Sequence, residues 1–173
     1  MVLIALSLAC LKPAPPAQNG ALRPLAVVNV LDAANDRAAV DTPDRFDAAV
    51  LGEVSRRALV PTLLQGPETL APLTPNRETS QRLRALAPQM GTEGVLLVET
   101  RPAYYSDLNG QYRWTVGVVV TLASGGQTAS RAFDVPVFLR YHHEREEAAV
   151  DAASPVVARK VGEVLDTWLG GGG

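Results

Sequence analysis

The stretch Arg113-Trp114-Thr115-Val116-Gly117-Val118-Val119-Val120-Thr121-Leu122 decides the fold class, because its residues alternate between two sides. Every second residue from Trp114 to Leu122 is apolar, whereas the intervening positions hold an arginine, two threonines, a glycine and one valine. A period of two predicts a β-strand with one well-buried face. Asn109-Gly110 before the stretch and Gly125-Gly126 after it are turn signals, and they predict antiparallel neighbours.

Similar strand patterns lie on both sides of this stretch. Ala132–Leu139 repeats the alternation, so it predicts the next strand of a hairpin or meander. Leu25–Leu31 and Gly94–Thr100 are short apolar runs rich in valine, which are typical of buried strands. Glu68–Leu73 is a weaker candidate, and Pro72 within it suggests an edge position.

Two Thr-Pro pairs predict the starts of helices, because threonine caps a helix and proline suits its first position. From Thr42-Pro43 we predict a helix over Pro43–Val60, and from Thr74-Pro75 a second helix that stops at Pro88 and Gly91. In the first helix the apolar side holds Phe46, Ala49, Val50, Val54 and Ala58, opposite Asp47, Glu53, Arg56 and Arg57.

The chain closes with a helical pattern over Glu144–Leu169, which Pro155 either kinks or restarts, and with a flexible glycine tail at Gly170–Gly173. The predicted order is β-α-β-α-β-β-β-α. We therefore expect an α/β to α+β fold, with a single mixed β-sheet in one domain over residues 24–169 and with helices mainly on one face.

The first residues resemble the start of a bacterial lipoprotein. Met1–Ala9 is an apolar, signal-like segment, and Cys10, the one cysteine of the chain, follows it. A Pro/Ala-rich tether then continues to Arg23. We predict that Cys10 carries the lipid anchor; the alternatives are a cleaved export signal and a cytosolic protein in which residues 1–9 form a first core strand.

Composition excludes one large class of partner. The 173 residues carry a net charge of −2, and a nucleic-acid-binding surface needs a clustered basic face. Neither composition nor spacing indicates a cofactor, and we expect none.

No pattern indicates catalysis. Tyr141-His142-His143-Glu144 holds both histidines, but neighbours on a strand point to opposite faces and no third ligand is near, so we predict no metal site. Asp32, Asp36 and Asp41 follow the first strand, where ligands of parallel α/β units often lie. With the loop 76–78 they form the alternative hypothesis of an enzyme or small-ligand site; a solvated loop is the other interpretation.

Aromatic residues concentrate around the Asn109-Gly110 turn, and they form the candidate protein-binding site. These residues are Tyr104, Tyr105, Tyr112 and Trp114. Aromatic side chains with a polar group often anchor protein interfaces, although cross-strand pairing within a hairpin would also explain them.

The element order and four segments resemble the periplasmic α/β domains of the TolB amino-terminal type, a fold class that includes the lipoprotein families of LpoB and CsgG. The segments are Leu25–Leu31, Pro43–Val60, Leu83–Glu99 and Val164–Leu169. The resemblance covers residues 25–169 and implies a noncatalytic protein that acts through protein contacts, but it carries over no functional residue.

Together these features predict a lipid-anchored protein on the periplasmic face of the bacterial outer membrane that binds an envelope protein partner. A structural subunit that pairs through a sheet edge is a further alternative.

Overall fold

The computed structural model describes residues 23–32, 39–70, 78–109, 111–140 and 146–170. Cys10, Asp36, His142 and His143 lie outside these ranges, as do residues 1–22 and 171–173. The strands are β1 (Arg23–Asp32), β2 (Ala39–Val40), β3 (Leu59–Leu63), β4 (Gly94–Leu108), β5 (Gln111–Ser124) and β6 (Gln127–Leu139). The helices are α1 (Asp44–Ser55), α2 (Pro67–Leu70), α3 (Thr79–Leu86), followed by a 3-10 turn at Ala87–Gln89, and α4 (Glu146–Gly170).

The strands form one mixed sheet, which confirms the α+β prediction. β1 pairs in parallel with β4, and β4, β5 and β6 form an antiparallel meander. The other edge of β1 is shared, with β3 parallel to its first half and β2 antiparallel to its end. This arrangement gives the order β2-β1-β4-β5-β6, with β3 also paired to β1.

The sheet separates two hydrophobic cores. The larger core lies under α1 and α4, where Phe46 and Val157 meet alternate residues of β1, β4, β5 and β6. The smaller core lies on the opposite face, where Leu86 of α3 packs on Val28 and Leu97. Because β1 and β4 contribute to both cores, their sequences are nearly continuous apolar runs.

The predicted helix Pro43–Val60 is too long. α1 ends at Ser55, and Ala58 adopts a left-handed conformation with φ of +56°. Leu59–Leu63 then forms β3, because its backbone pairs with Arg23–Val27. The strand predicted at Glu68–Leu73 is wrong for its first half, since Pro67–Leu70 is helical; residues 71–77 lie outside the described ranges.

α4 runs from Glu146 through Pro155 without a break. Proline has no amide hydrogen to donate to the carbonyl four residues earlier, which here belongs to Asp151. The hydroxyl of Ser154 donates to that carbonyl instead, at 2.7 Å. The helix also includes Gly170, which was predicted to belong to the tail.

Ion pairs join α1 to α4. The Arg57 guanidinium donates to both carboxylate oxygens of Asp166, at 2.6 and 2.8 Å, and to Glu53 Oε1 at 2.7 Å. Gly162 makes room for this cluster, because a Cβ there would lie 2.5 Å from both Arg57 Nη2 and Glu53 Oε1. A larger residue at this position would displace the ends of the Arg57 and Glu53 side chains from this contact.

The sheet has two distinct ends. Arg23, Gly94, Ser124 and Gln127 share one end, as the strand registers show. β4 continues for eight residues past Thr100, where its pairing with β1 stops, so β4 and β5 project about 25 Å beyond β1. The 15 residues of β4 place the hairpin turn about 45 Å from the Arg23 end.

Candidate functional site

The predicted aromatic residues lie in the projecting part of the sheet. Tyr104 and Tyr105 belong to β4, and Tyr112 and Trp114 belong to β5. The structure adds Phe138 of β6, which pairs with Arg113. We call these residues the aromatic end of the sheet.

A β-bulge divides the aromatic end between the two faces. Tyr104 pairs with Trp114, whereas Ser106 pairs with Arg113, so Tyr105 is an extra residue in β4. Bulges re-aim side chains, and this one sends the two tyrosines to different neighbours. The four predicted residues therefore do not form a single patch.

Tyr104, Tyr112 and Trp114 cluster on the face that carries α4. The Tyr104 ring centroid lies 5.6 Å from that of Trp114, edge to face, and 6.5 Å from that of Tyr112. Tyr112 and Trp114 are half-buried against the larger core, whereas Tyr104 is 52% exposed. Cross-strand pairing thus accounts for Tyr112 and Trp114, whereas Tyr104 packs on both of them and still leaves about half of its surface exposed.

Tyr105 belongs to a second group on the opposite face. Arg113 Cζ lies 5.5 Å from the Tyr105 ring centroid and 5.8 Å from that of Phe138, so the guanidinium stacks on both rings. Tyr105 is 73% exposed and Phe138 is 55% exposed. This group combines two open aromatic rings with a cation, and stacking holds all three side chains.

The sequence did not identify Phe138 or Arg113 as site residues, although a signal was present. Phe138 occupies the polar side of the β6 alternation, out of step with Val135, Val137 and Leu139, which are buried. A large apolar residue on the exposed side of a strand is the pattern that would have identified it.

The loop aspartates do not converge on a ligand site. Asp32 accepts from Arg101 Nε at 2.9 Å, and Asp41 accepts from the backbone amide of Gly66 at 3.3 Å. Asp36 and residues 76 and 77 lie outside the described ranges; Glu78 precedes α3, where its carbonyl accepts from Gln81 at 2.9 Å. The carboxylates of Asp32 and Asp41 thus each have a structural partner.

Asp47 is buried, which corrects its predicted exposed position. Its carboxylate accepts from Asn29 Nδ2 and Gln65 Nε2, both at 2.8 Å, and from the Thr42 hydroxyl. Burial raises the pKa of Asp47 above its ordinary 3.8, against the lowering effect of the bonds from Thr42 and Asn29. Because these donors come from β1, from the residue before the N-cap of α1 and from the segment after β3, the network fixes the start of α1 to the sheet.

A buried ion pair lies on the α3 side. Arg82 of α3 pairs with Glu99 of β4, and both side chains are nearly covered. Burial lowers the pKa of Arg82. Buried pairs of this kind need both members, so this contact is best explained as docking α3 onto the sheet.

Within the ranges that the structure describes, no group of three His, Cys, Asp or Glu side chains could hold a metal ion. The histidine pair at 142–143 lies outside them. Across the same ranges, none of the helices combines the length and apolar character needed to cross a bilayer.

No protein-family model matches this sequence, and no curated protein is significantly similar to it. Similar solved structures include a lipoprotein from Neisseria meningitidis (12% identity, 82% of this chain and 99% of that chain, TM-score 0.45) and a minor lipoprotein from Acinetobacter baumannii (11%, 83% and 93%, 0.42). A Xanthomonas campestris protein of the DUF330 family is also similar (16%, 89% and 91%, 0.46). Identities and TM-scores this low assign the chain to no family and transfer no function.

Proposed function

We propose that this chain is a noncatalytic, lipid-anchored bacterial envelope protein that binds a protein partner through the aromatic end of its sheet. One observation carries the proposal. Among the large apolar side chains exposed in the described part of the chain, the three most exposed are Tyr105, Phe138 and Tyr104, and all three lie at this end.

The chemistry of the aromatic end fits a protein interface. Exposure of aromatic rings to water is unfavourable, so a concentration of exposed rings at one place indicates an interaction site. Tyr, Phe and Arg are enriched in interface cores, and rings held on strands lose little conformational entropy on binding. In the Tyr105–Arg113–Phe138 group, the guanidinium can also donate hydrogen bonds to carboxylate or carbonyl oxygens of a partner.

The anchor is supported by sequence alone. Cys10 follows the apolar segment Met1–Ala9, and acyl chains on its sulfur would bind the protein to a membrane by about 0.8 kcal/mol per buried methylene. We place this anchor at the periplasmic face of the outer membrane, consistent with the predicted resemblance to TolB-type, LpoB and CsgG domains.

The positions of the lipid anchor and of the aromatic end are compatible with both roles. The chain enters the domain at Arg23, at the end of the sheet opposite the aromatic end. A domain held through that entry would present its aromatic end about 45 Å further from the membrane. The geometry therefore favours a protein partner over the anchoring lipid surface as the target of these rings.

Lipidation is tested by growing cells with a clickable fatty acid. We expect label on the wild-type protein and none on Cys10→Ser. An unlabelled wild type, or label that survives Cys10→Ser, would remove the anchor from the proposal.

Partner binding is tested by site-specific photocrosslinking in the same cells. A benzoylphenylalanine probe at position 138 should give a discrete crosslinked species, whereas the same probe at Val156, an exposed position on α4, should not. Adding Tyr104→Ala and Tyr105→Ala should reduce the crosslink at least tenfold, since anchor residues each contribute about 2 kcal/mol. Equal crosslinking from both positions, or no response to the tyrosine substitutions, would contradict the proposal.

One observation favours a second candidate, a structural subunit that pairs through a sheet edge. Among the described strands, β6 pairs with β5 alone, and it offers 13 residues of edge. Pro136 within β6 suits an edge strand because it cannot donate a backbone hydrogen bond. Sedimentation of the purified protein tests this candidate, which predicts a concentration-dependent oligomer that Ala132→Pro abolishes.

A further inference from the structure

A groove of about 510 Å³ lies between the C-terminal part of α4 and the first half of β6. Trp168, Val164 and Ala129 provide its apolar lining, and Gln127, Arg131 and Thr167 provide polar groups. Further along β6, Val135 and Val137 on the same side are buried, whereas Ala129 and Arg131 are exposed. The groove is therefore the part of this face that the described helices leave open.

The chain enters the domain beside this groove. Arg23 is the first described residue, and its Cζ lies 5.0 Å from the ring centroid of Trp168. The same indole lines the groove. The side chain of the first described residue therefore reaches the indole that lines the groove.

The entering segment has the chemistry that this groove fits. Its residues Pro13-Ala14-Pro15-Pro16-Ala17 favour a polyproline II conformation, in which every backbone carbonyl is left without an internal hydrogen bond. Proline rings pack well on aromatic rings such as the indole of Trp168. Arg131 and Gln127 offer N–H donors that the free carbonyls require.

The dimensions also agree. From first to last residue, five residues in polyproline II span about 12 Å, and the five residues Gln127–Arg131 of β6 span about 13 Å. The five residues from Gln18 to Leu22 bridge up to ~16 Å to Arg23, and Asn19-Gly20 among them is a turn-forming pair. The segment can reach the groove from its own point of entry.

We propose that the groove binds Pro13–Ala17 of the same chain. Since the segment is covalently attached, its effective concentration at the groove is in the millimolar range, which offsets a weak intrinsic affinity. If Cys10 carries the proposed lipid, docking shortens the free tether from up to ~40 Å to about 10 Å, because only Leu11 and Lys12 remain between anchor and docked segment. The docked segment then acts as a strap that holds the domain near the membrane.

The test uses the full chain produced without lipid, so that it does not depend on the anchor. The protein has two tryptophans, and each indole N–H gives its own signal in a ¹⁵N-correlation spectrum. Trp114 is an internal control, because it lies about 30 Å from the Arg23 end of the sheet. Trp168→Phe identifies the Trp168 signal.

We expect the triple substitution Pro13→Ser, Pro15→Ser, Pro16→Ser to shift the Trp168 signal and to leave that of Trp114 in place. The matched control Gln18→Ser with Ala21→Ser changes the same segment without removing proline, so it should shift neither signal. A Trp168 signal that stays unchanged in the proline variant would overturn the proposal.

A mixing experiment distinguishes docking within one chain from docking of the segment of a second copy of the chain. Unlabelled protein carrying a nitroxide on Cys10 is mixed with ¹⁵N-labelled protein that lacks the nitroxide. Same-chain docking predicts an unchanged Trp168 signal in the mixture and a broadened one when the labelled protein itself carries the nitroxide. Broadening in the mixture would assign the groove to the segment of a second copy and overturn the same-chain assignment.

Discussion

Gly94 begins β4 at a point where the backbones of two strands come very close. A Cβ at this position would lie 2.8 Å from the carbonyl oxygen of Ala123 and 3.1 Å from Ser124 Cβ. Because the obstructing atom belongs to a paired strand, the contact can be relieved only by moving the sheet. The glycine is therefore required by packing.

We expect Gly94→Ala to lower the free energy of unfolding by about 1–3 kcal/mol, as overpacking does. Gly91→Ala is the matched control, since no atom lies within 4 Å of a Cβ there, and it should stay within about 0.5 kcal/mol of wild type. Urea denaturation followed by circular dichroism measures both, and equal losses for the two variants would refute this interpretation.

Individual side chains were the hardest feature to predict from the sequence. Asp47 was predicted on the exposed side because it is charged, although helical spacing places it about 60° from Val50 on the helix surface, on the buried side. Its partners Asn29 and Gln65 come from outside the helix. Tyr104 and Tyr105 have different neighbours because of a β-bulge, and no residue type at that point indicates a bulge. Contacts between distant segments decide both cases.

Ion pairs of Arg57 join α1 to α4, and their contribution to the free energy of unfolding changes with pH. Hydrogen bonding from Arg57 lowers the pKa of Asp166 below its ordinary 3.8 and that of Glu53 below 4.5. A carboxyl group whose pKa is lower in the folded state stabilises the fold at pH values above its unfolded pKa. That stabilisation is lost as the pH falls through the folded-state pKa.

We therefore expect Asp166→Asn to be less stable than wild type at pH 7, and we expect the difference to shrink as the pH falls below 3.8 and to vanish only below the folded-state pKa of Asp166. Urea midpoints at pH 7, 5 and 3 measure the difference, and Asp107→Asn on the distant hairpin controls for the loss of one negative charge. A difference that is constant across this range would rule out the Arg57–Asp166 contact as its source.

Elements with a strict period were predicted well, whereas their ends were not. The alternation from Trp114 to Leu122 gave β5 correctly, and the structure extends it to Gln111–Ser124. Helical spacing continued through Ala58, but α1 stops at Ser55 because Leu59–Leu63 pairs with β1. Local periodicity carries no information about a partner strand more than thirty residues away in the sequence.

The two cores share strands, so the whole domain should unfold as one unit. Leu86 lies in the smaller core, yet Val28 and Leu97 beneath it belong to the strands that also line the larger core. We expect Leu86→Ala to cost about 2–4 kcal/mol and to shift the urea midpoints of tryptophan fluorescence and far-UV circular dichroism together. Separate midpoints for the two probes would show that the α3 side unfolds independently.

At the scale of the molecule, the sequence predicted one mixed sheet, and the structure confirms it. The length of β4 was not predicted, since Pro102 and the tyrosines after it break the apolar pattern that ends at Thr100. Proline is tolerated there because β1 no longer pairs with β4 beyond Thr100. The projection that carries the candidate site thus depends on the unequal lengths of two neighbouring strands.

The opposite placement of the chain's entry and the aromatic end has a mechanical consequence. A partner that pulls on the projecting hairpin, against resistance at Arg23, would draw β4 and β1 in opposite directions along their length. The load would fall at once on all the hydrogen bonds between Leu25–Leu31 and Gly94–Thr100, rather than on one bond after another. Strands loaded in shear withstand more force than strands peeled from one end, so the β1–β4 pairing would resist such a pull.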